Sequence, residues 1–151
     1  MALGMITIIH IVLAVLVIVE LGITGYLVNS TSGFGVSSPS TYAFMLFTSI
    51  WSLFILIYLA ITPLYLARFY HALVAFVLLV LTTIFWFAGA IAFACFVGAP
   101  ACHGSNWCQT NEAGVAFAFF LWAGFLAITV LEGLTTMRGH ARADKTTPSN
   151  V

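Results

Sequence analysis

Four stretches of this chain each run for about twenty residues or more with hardly a charge, and no other feature limits its possible folds as strongly. A hydrocarbon core about 30 Å thick is crossed by about 20 helical residues. Residues 3–28, 42–62, 72–97 and 113–137 each reach that length. In lipid a spanning helix satisfies all of its backbone hydrogen bonds internally. The expected fold is therefore all-α: an integral membrane bundle of four transmembrane helices over residues 1–137, followed by a short polar tail over 138–151. Composition agrees, because 63% of the 151 residues are hydrophobic and 5% are charged, against roughly a quarter charged in soluble domains. A globule in water could not hide so much apolar surface. With only four Lys and Arg residues and zero formal net charge, the chain also lacks the basic footprint of a nucleic-acid binder.

The apolar run that begins near Leu3 continues to Val28, well past the ~7–15 residues of a signal-peptide core, and no basic residue precedes it. It is read as a retained first helix. The connection over residues 29–41 is rich in Ser, Thr and Gly, the one over 63–71 is short and opens at Pro63, and the one over 98–112 holds Cys102 and Cys108. All four basic residues fall on one side of this arrangement: Arg68 in the second connection, and Arg138, Arg142 and Lys145 in the tail. Positive charge marks the cytoplasmic side, so both termini are expected there and the first and third connections outside.

The ordered blocks "LGITGYL" (21–27), "STYAFMLFTSIWSLFILIYLAITPLY" (40–65), "FWFAGAIAFA" (85–94) and "AFAFFLWAGFLA" (116–127) carry a family likeness. Together with the short hairpin and the cysteines ahead of the fourth helix, they resemble the MARVEL family of tetraspan membrane proteins, its fungal branch most closely. The resemblance implies a non-enzymatic protein that organises membrane domains or serves trafficking, at the plasma membrane, with no catalytic residues to carry over. Its expected partners are membrane lipids and other integral membrane proteins, with a larger complex or a second copy of the chain as candidates. No cofactor, metal or nucleic acid is expected.

Several residues have physical roles to fill. Glu20 lies inside the first helix, about 6 Å outward of a midpoint near Leu16. A carboxylate there costs about 2.5–3.5 kcal/mol on insertion scales unless it is paired, hydrated or protonated. Glu132 lies about 10 Å to the inner side of the fourth helix's midpoint, so the two carboxylates do not share a proton. Arg68 and His10 are the candidate partners of Glu132. One carboxylate in the first of four helices also characterises small proton-coupled multidrug transporters, and this is the alternative reading of Glu20. Those proteins, however, lack an extended cysteine-bearing loop. His10 and His71 differ in depth, which speaks against a shared haem.

Small residues at i, i+4 let helices approach closely in lipid. Ala88 with Ala92 and Ala90 with Ala94, with Gly89 between them, supply such pairs on the third helix, and Gly114 with Ala118 does so on the fourth. Packing within the bundle is the expected use, a self-association face the alternative. Cys102 and Cys108, which bracket only five residues in an outer loop, are expected to form a disulfide, with zinc on Cys102, His103 and Cys108 as the weaker option. Cys95 reads as a small packing residue, and Asn29-Ser30-Thr31 is a glycosylation sequon lying against the membrane. Arg138, Arg142 and Lys145 could attract anionic headgroups at about 1 kcal/mol each.

Overall fold

The computed structural model describes residues 2–32, 39–65, 72–98 and 102–145, with side chains for 7–32, 39–61, 73–98 and 102–137. Four helices account for nearly all of it: α1 (Ala2–Ser32), α2 (Ser40–Tyr65), α3 (Ala72–Val97) and α4 (Asn106–Lys145). Each contains a span long and apolar enough to cross a membrane: Thr7–Ser32, Ser40–Ile61, Leu73–Val97 and Asn106–Met137. The chain is an integral, multi-pass tetraspan bundle.

The helices form a ring in which α1 packs on α2 and α4, and α3 packs on α2 and α4. Side-chain levels fix their directions. Trp51 meets Thr82 while the more N-terminal Met45 meets the more C-terminal Gly89, so α2 and α3 run antiparallel. Thr83 meets Thr129 while Phe93 meets Gly114, and Leu13 meets Gly124 while Ile23 meets Gly114. Neighbours around the ring therefore alternate in direction throughout, as four successive crossings require.

Burial reverses the pattern of a soluble protein. Ile11, Val15, Ile18, Phe54, Ile57, Leu73 and Phe120 lie exposed on the bundle's outer surface, whereas Glu20, Thr24, Thr48, Ser49, Ser52, Thr82 and Asn111 are buried. Lipid tails are as apolar as Leu, so an outward Ile costs nothing in a bilayer, whereas an outward hydroxyl or carboxylate would. Large rings fill the centre: Trp86, Phe93 and Phe125 are buried completely, and Trp86 stacks on Phe125 at 6.5 Å between centroids.

The helix ends depart from the sequence expectation. α1 continues through Ser32, where Thr31 Oγ1 donates to the Leu27 carbonyl at 2.8 Å and Ser32 Oγ to that of Val28 at 2.7 Å. The Asn29 sequon is thus wound into α1 rather than lying in a loop. α3 stops at Gly98, whose positive φ of 69° and N–H bond to the Ala94 carbonyl at 2.9 Å make a left-handed C-cap. The largest difference is α4, which spans 40 residues, about 60 Å at 1.5 Å per residue and twice the hydrocarbon thickness. It starts inside the expected third connection and runs eight residues into the expected polar tail, to Lys145. Helical backbone satisfies itself equally well outside lipid, so the loss of apolar character at Glu112 and Met137 marks the edge of the membrane and not the end of the helix.

Candidate functional site

The bundle interior carries a ladder of interhelical hydrogen bonds. Trp86 Nε1 donates to Ser52 Oγ at 2.8 Å, and Ser52 Oγ donates onward to the Thr48 carbonyl at 2.7 Å. Trp51 Nε1 donates to Thr82 Oγ1 at 3.2 Å, and Thr82 Oγ1 donates onward to the Leu78 carbonyl at 2.8 Å. The Thr83 and Thr129 hydroxyls bond each other at 2.9 Å across α3 and α4. At the outer-loop end, Tyr42 OH donates to Asn111 Oδ1 at 2.7 Å across the diagonal of the ring, and Asn111 Nδ2 donates to the Trp107 carbonyl at 2.8 Å. Each hydroxyl of the ladder donates within its own helix or to its opposite number, leaving a lone pair for the neighbouring helix. Polar groups become interhelical links without leaving an unmet donor.

Glu20 behaves differently. It is completely buried on α1, and among the described residues neither Oε1 nor Oε2 has a hydrogen-bond partner. Only its backbone carbonyl is engaged, by Thr24 Oγ1 at 2.8 Å. Glu20 lies within the Thr7–Ser32 stretch of α1, which is long and apolar enough to cross a membrane. An ionised carboxylate in such a place is very expensive, and a neutral acid much less so.

The remaining acidic and basic positions lie elsewhere. Interpolating between the Leu13–Gly124 and Ile23–Gly114 contacts places Glu20 level with about residue 117 of α4, which puts Glu132 about 22 Å away along the axis. At that separation the two carboxyl groups cannot share a proton. Glu132 is half-buried, and its carbonyl accepts from Thr135 Oγ1 at 2.9 Å and Thr136 Oγ1 at 2.8 Å. His10 is half-buried on α1, about five residues from the level of Glu132. Arg68 and His71 lie outside the described residues, as do the side chains of Arg138, Arg142 and Lys145.

The small residues divide by helical phase. Gly89, Ala90, Gly114 and Ala118 are buried. A Cβ on Gly89 would stand 2.7 Å from Met45 Sδ, and one on Gly114 would stand 2.8 Å from Phe93 Cε1 and 3.1 Å from Ile23 Cγ2. Ala88 and Ala92 instead lie exposed on the outer surface, a correction to their expected packing within the bundle. Two residues either side of the buried Ala90, at about 100° per residue, they occupy the opposite face of α3. Cys95 is exposed as well, not packed inside. Two further glycines escaped the sequence reading: a Cβ on Gly124 would meet Leu13 Cδ2 at 2.5 Å, and one on Gly133 would meet Phe76 Cε2 at 3.0 Å. Their signal was present, since an isolated glycine inside a helix calls for a packing reason.

Cys102 and Cys108 are bonded, with 5.6 Å between their Cα atoms. Ser105 accepts the first bond of α4 from Gln109 N–H at 3.1 Å, and Gly104, at φ 77°, turns the chain into it. The disulfide thus fastens the loop to the first turn of α4. Glu112, not His103, completes a three-ligand cluster with the two sulfurs, within 4.8 Å of one another; metal ligation requires thiolates, which the disulfide removes. Beside the disulfide, Tyr42, Phe96, Val97, Trp107, Cys108 and Asn111 enclose a cavity of about 210 Å³.

Four membrane-spanning helices with polar groups turned inward and an apolar exterior define a polytopic membrane protein held together by side-chain links between helices. The chain belongs to the MARVEL family: the family's membrane-associating domain matches residues 2–131. No curated protein and no solved structure matches the chain.

Proposed function

We propose that this protein is a non-enzymatic organiser of membrane domains, acting through lateral association with lipids and other integral membrane proteins at the plasma membrane or in trafficking to it. The observation that carries this reading is the partition of polarity. Interior polar groups at Ser52, Thr83, Trp86 and Thr129 link one helix to another, and the surface offered to the membrane is a broad apolar one. Membership of a membrane-associating family supports it. In the expected orientation Arg68, Arg138, Arg142 and Lys145 face the cytoplasm and the disulfide loop faces outward. Single-cysteine labelling should place positions 68 and 145 inside and Ser37 and Ser105 outside; reaction of position 145 with an impermeant reagent in sealed right-side-out membranes would refute that topology.

The function is tested by imaging the lateral distribution of the tagged full chain and identifying what copurifies in native lipid. Clustered distribution with a reproducible set of lipids or membrane proteins is expected; uniform distribution with no enriched companion would overturn the reading. A second reading, proton-coupled transport, draws on one specific observation, the buried carboxyl of Glu20 within the α1 span, which has no hydrogen-bond partner among the described residues. It requires that Glu20→Gln abolish uptake while the bundle stays intact.

A further inference from the structure

Three helix ends meet around the cavity beside the disulfide. Tyr42 lies two residues inside the start of the α2 span, Val97 closes the α3 span, and Trp107 is the second residue of the α4 span, so this space of about 210 Å³ sits where the membrane gives way to water. Its floor is closed. Tyr42 and Asn111 are buried, and the Asn111 amide is engaged at both ends, by the Tyr42 hydroxyl and by the Trp107 carbonyl. Its lip is open, since Phe96 and Trp107 are 49% and 46% exposed. Phe96 is held by an edge contact with Tyr42, 5.3 Å between centroids at 80°, and Trp107 by the disulfide at the neighbouring Cys108. Two positioned rings therefore stand over a floor whose polar groups are already bonded to one another.

Charge narrows the choice of occupant. The two connections at this end, residues 29–41 and 98–112, contain no Lys or Arg, and Glu112 is their only acid. One turn after Cys108 on α4, the exposed Glu112 brings a carboxylate oxygen within 4.8 Å of the Cys108 sulfur, and Cys108 lines the cavity. Aromatic faces attract a cation within about 6 Å, most strongly where water is displaced, and an anion beside them adds to the pull. An anionic group would meet Glu112 and no base. A primary ammonium must keep acceptors for its three protons, which a buried floor bonded to itself does not present. A quaternary ammonium needs only rings and a countercharge. Size agrees, because sites for drug-sized ligands run to about 300–1,000 Å³, and this smaller cavity suits a single headgroup.

We infer that this cavity binds a quaternary ammonium group, the choline of a phospholipid headgroup, between the Phe96 and Trp107 rings with Glu112 as its countercharge. The inference rests on the organiser reading and names a lipid class for it. Its test is native mass spectrometry of the full chain released from maltoside micelles doped with equal phosphatidylcholine and phosphatidylethanolamine. With matched acyl chains, these differ only in the methyl groups on nitrogen. The wild type should retain phosphatidylcholine about tenfold over phosphatidylethanolamine. Trp107→Leu and Phe96→Leu, which keep apolar bulk at half-exposed positions and remove the ring, should each bring the ratio close to one. Glu112→Gln, which removes charge without volume, should lower the ratio by a smaller factor. Excess choline chloride separates the two sources of the group: displacement of the lipid shows that the free cation fills the site, and retention assigns the site to the lipid-borne headgroup. Equal retention by the wild type would overturn the inference, as would a preference that survives both ring variants. An unchanged ratio in Glu112→Gln would do the same even if a ring variant failed to fold. Clustering of the wild-type chain in cells is scored separately: intact clustering without headgroup selectivity sinks only this inference, whereas absent clustering sinks the organiser reading.

Discussion

Two regions of the bundle interior handle polarity in opposite ways. Along α2, α3 and α4, the Trp51–Thr82, Trp86–Ser52 and Thr83–Thr129 pairs give each linking donor an acceptor. On α1, within the membrane-spanning stretch, the buried carboxyl of Glu20 has no hydrogen-bond partner among the described residues. A hydroxyl that can fall back on its own helix's carbonyl enters lipid cheaply and remains available to a neighbour. The Glu20 carboxyl makes no such bond among the described residues. The first region is therefore expected to be sensitive to loss of side-chain volume and only mildly sensitive to loss of a hydrogen bond, and α1 to be insensitive to loss of the acid itself.

The largest effect should come from emptying the ladder's centre. Trp86→Ala removes a completely buried ring that stacks on Phe125 and should destabilise by about 3 kcal/mol, at the low end for buried aromatic truncations because the hydrophobic term is weak in lipid. Steric trapping or denaturant titration in bicelles would measure it; a change under about 1 kcal/mol would break the contrast. Gly114→Leu comes next, since its Cβ alone meets Phe93 and Ile23 too closely, and overpacking of this kind costs about 1–3 kcal/mol. Removing the disulfide by Cys102→Ser with Cys108→Ser should cost about 2 kcal/mol in the chain-entropy model for so short a loop, read as a lower unfolding midpoint that reductant reproduces in the wild type.

The sharpest comparison is smaller still. Trp86→Phe keeps most of the volume and deletes the donor to Ser52, which retains its bond to the Thr48 carbonyl, so a loss of only about 0.6–1 kcal/mol is expected. A loss as large as that of Trp86→Ala would mean that the hydrogen bond, not the packing, holds this seam. Ala92→Leu on the outer surface should change stability by less than about 0.5 kcal/mol. Altered oligomeric state in that variant would identify the Ala88–Ala92 face as a contact between copies.

The membrane fold was legible from the sequence because the hydrocarbon thickness imposes a length, and the middle of every helix follows from it. Where each helix ends was less legible. Past the membrane edge the hydropathy signal vanishes, yet Ser105 caps a helix that begins at Asn106, and the same helix carries on through Arg138. Glu20 stood out as an isolated charge in an apolar run. Asn111 did not, because a polar residue among Gln109, Thr110 and Glu112 reads as loop until the helix turns it onto Tyr42. The small residues show the limit from another side: i, i+4 spacing identifies pairs that share a face but not which face, so Ala88–Ala92 and Ala90–Ala94 were equivalent until Met45 and Phe93 showed where the interior lies.

The proposed organiser role requires that Glu20 serve helix packing and carry no proton for transport. It is tested most directly by reconstituting the wild type and Glu20→Gln in sealed liposomes with an imposed proton gradient and measuring uptake of a lipophilic cationic dye. Gln keeps the shape and polarity of the side chain and removes only the ionisable group. The organiser account predicts that both proteins give the flux of empty liposomes. Gradient-driven uptake by the wild type that disappears in Glu20→Gln, with the bundle folded in both, would contradict it.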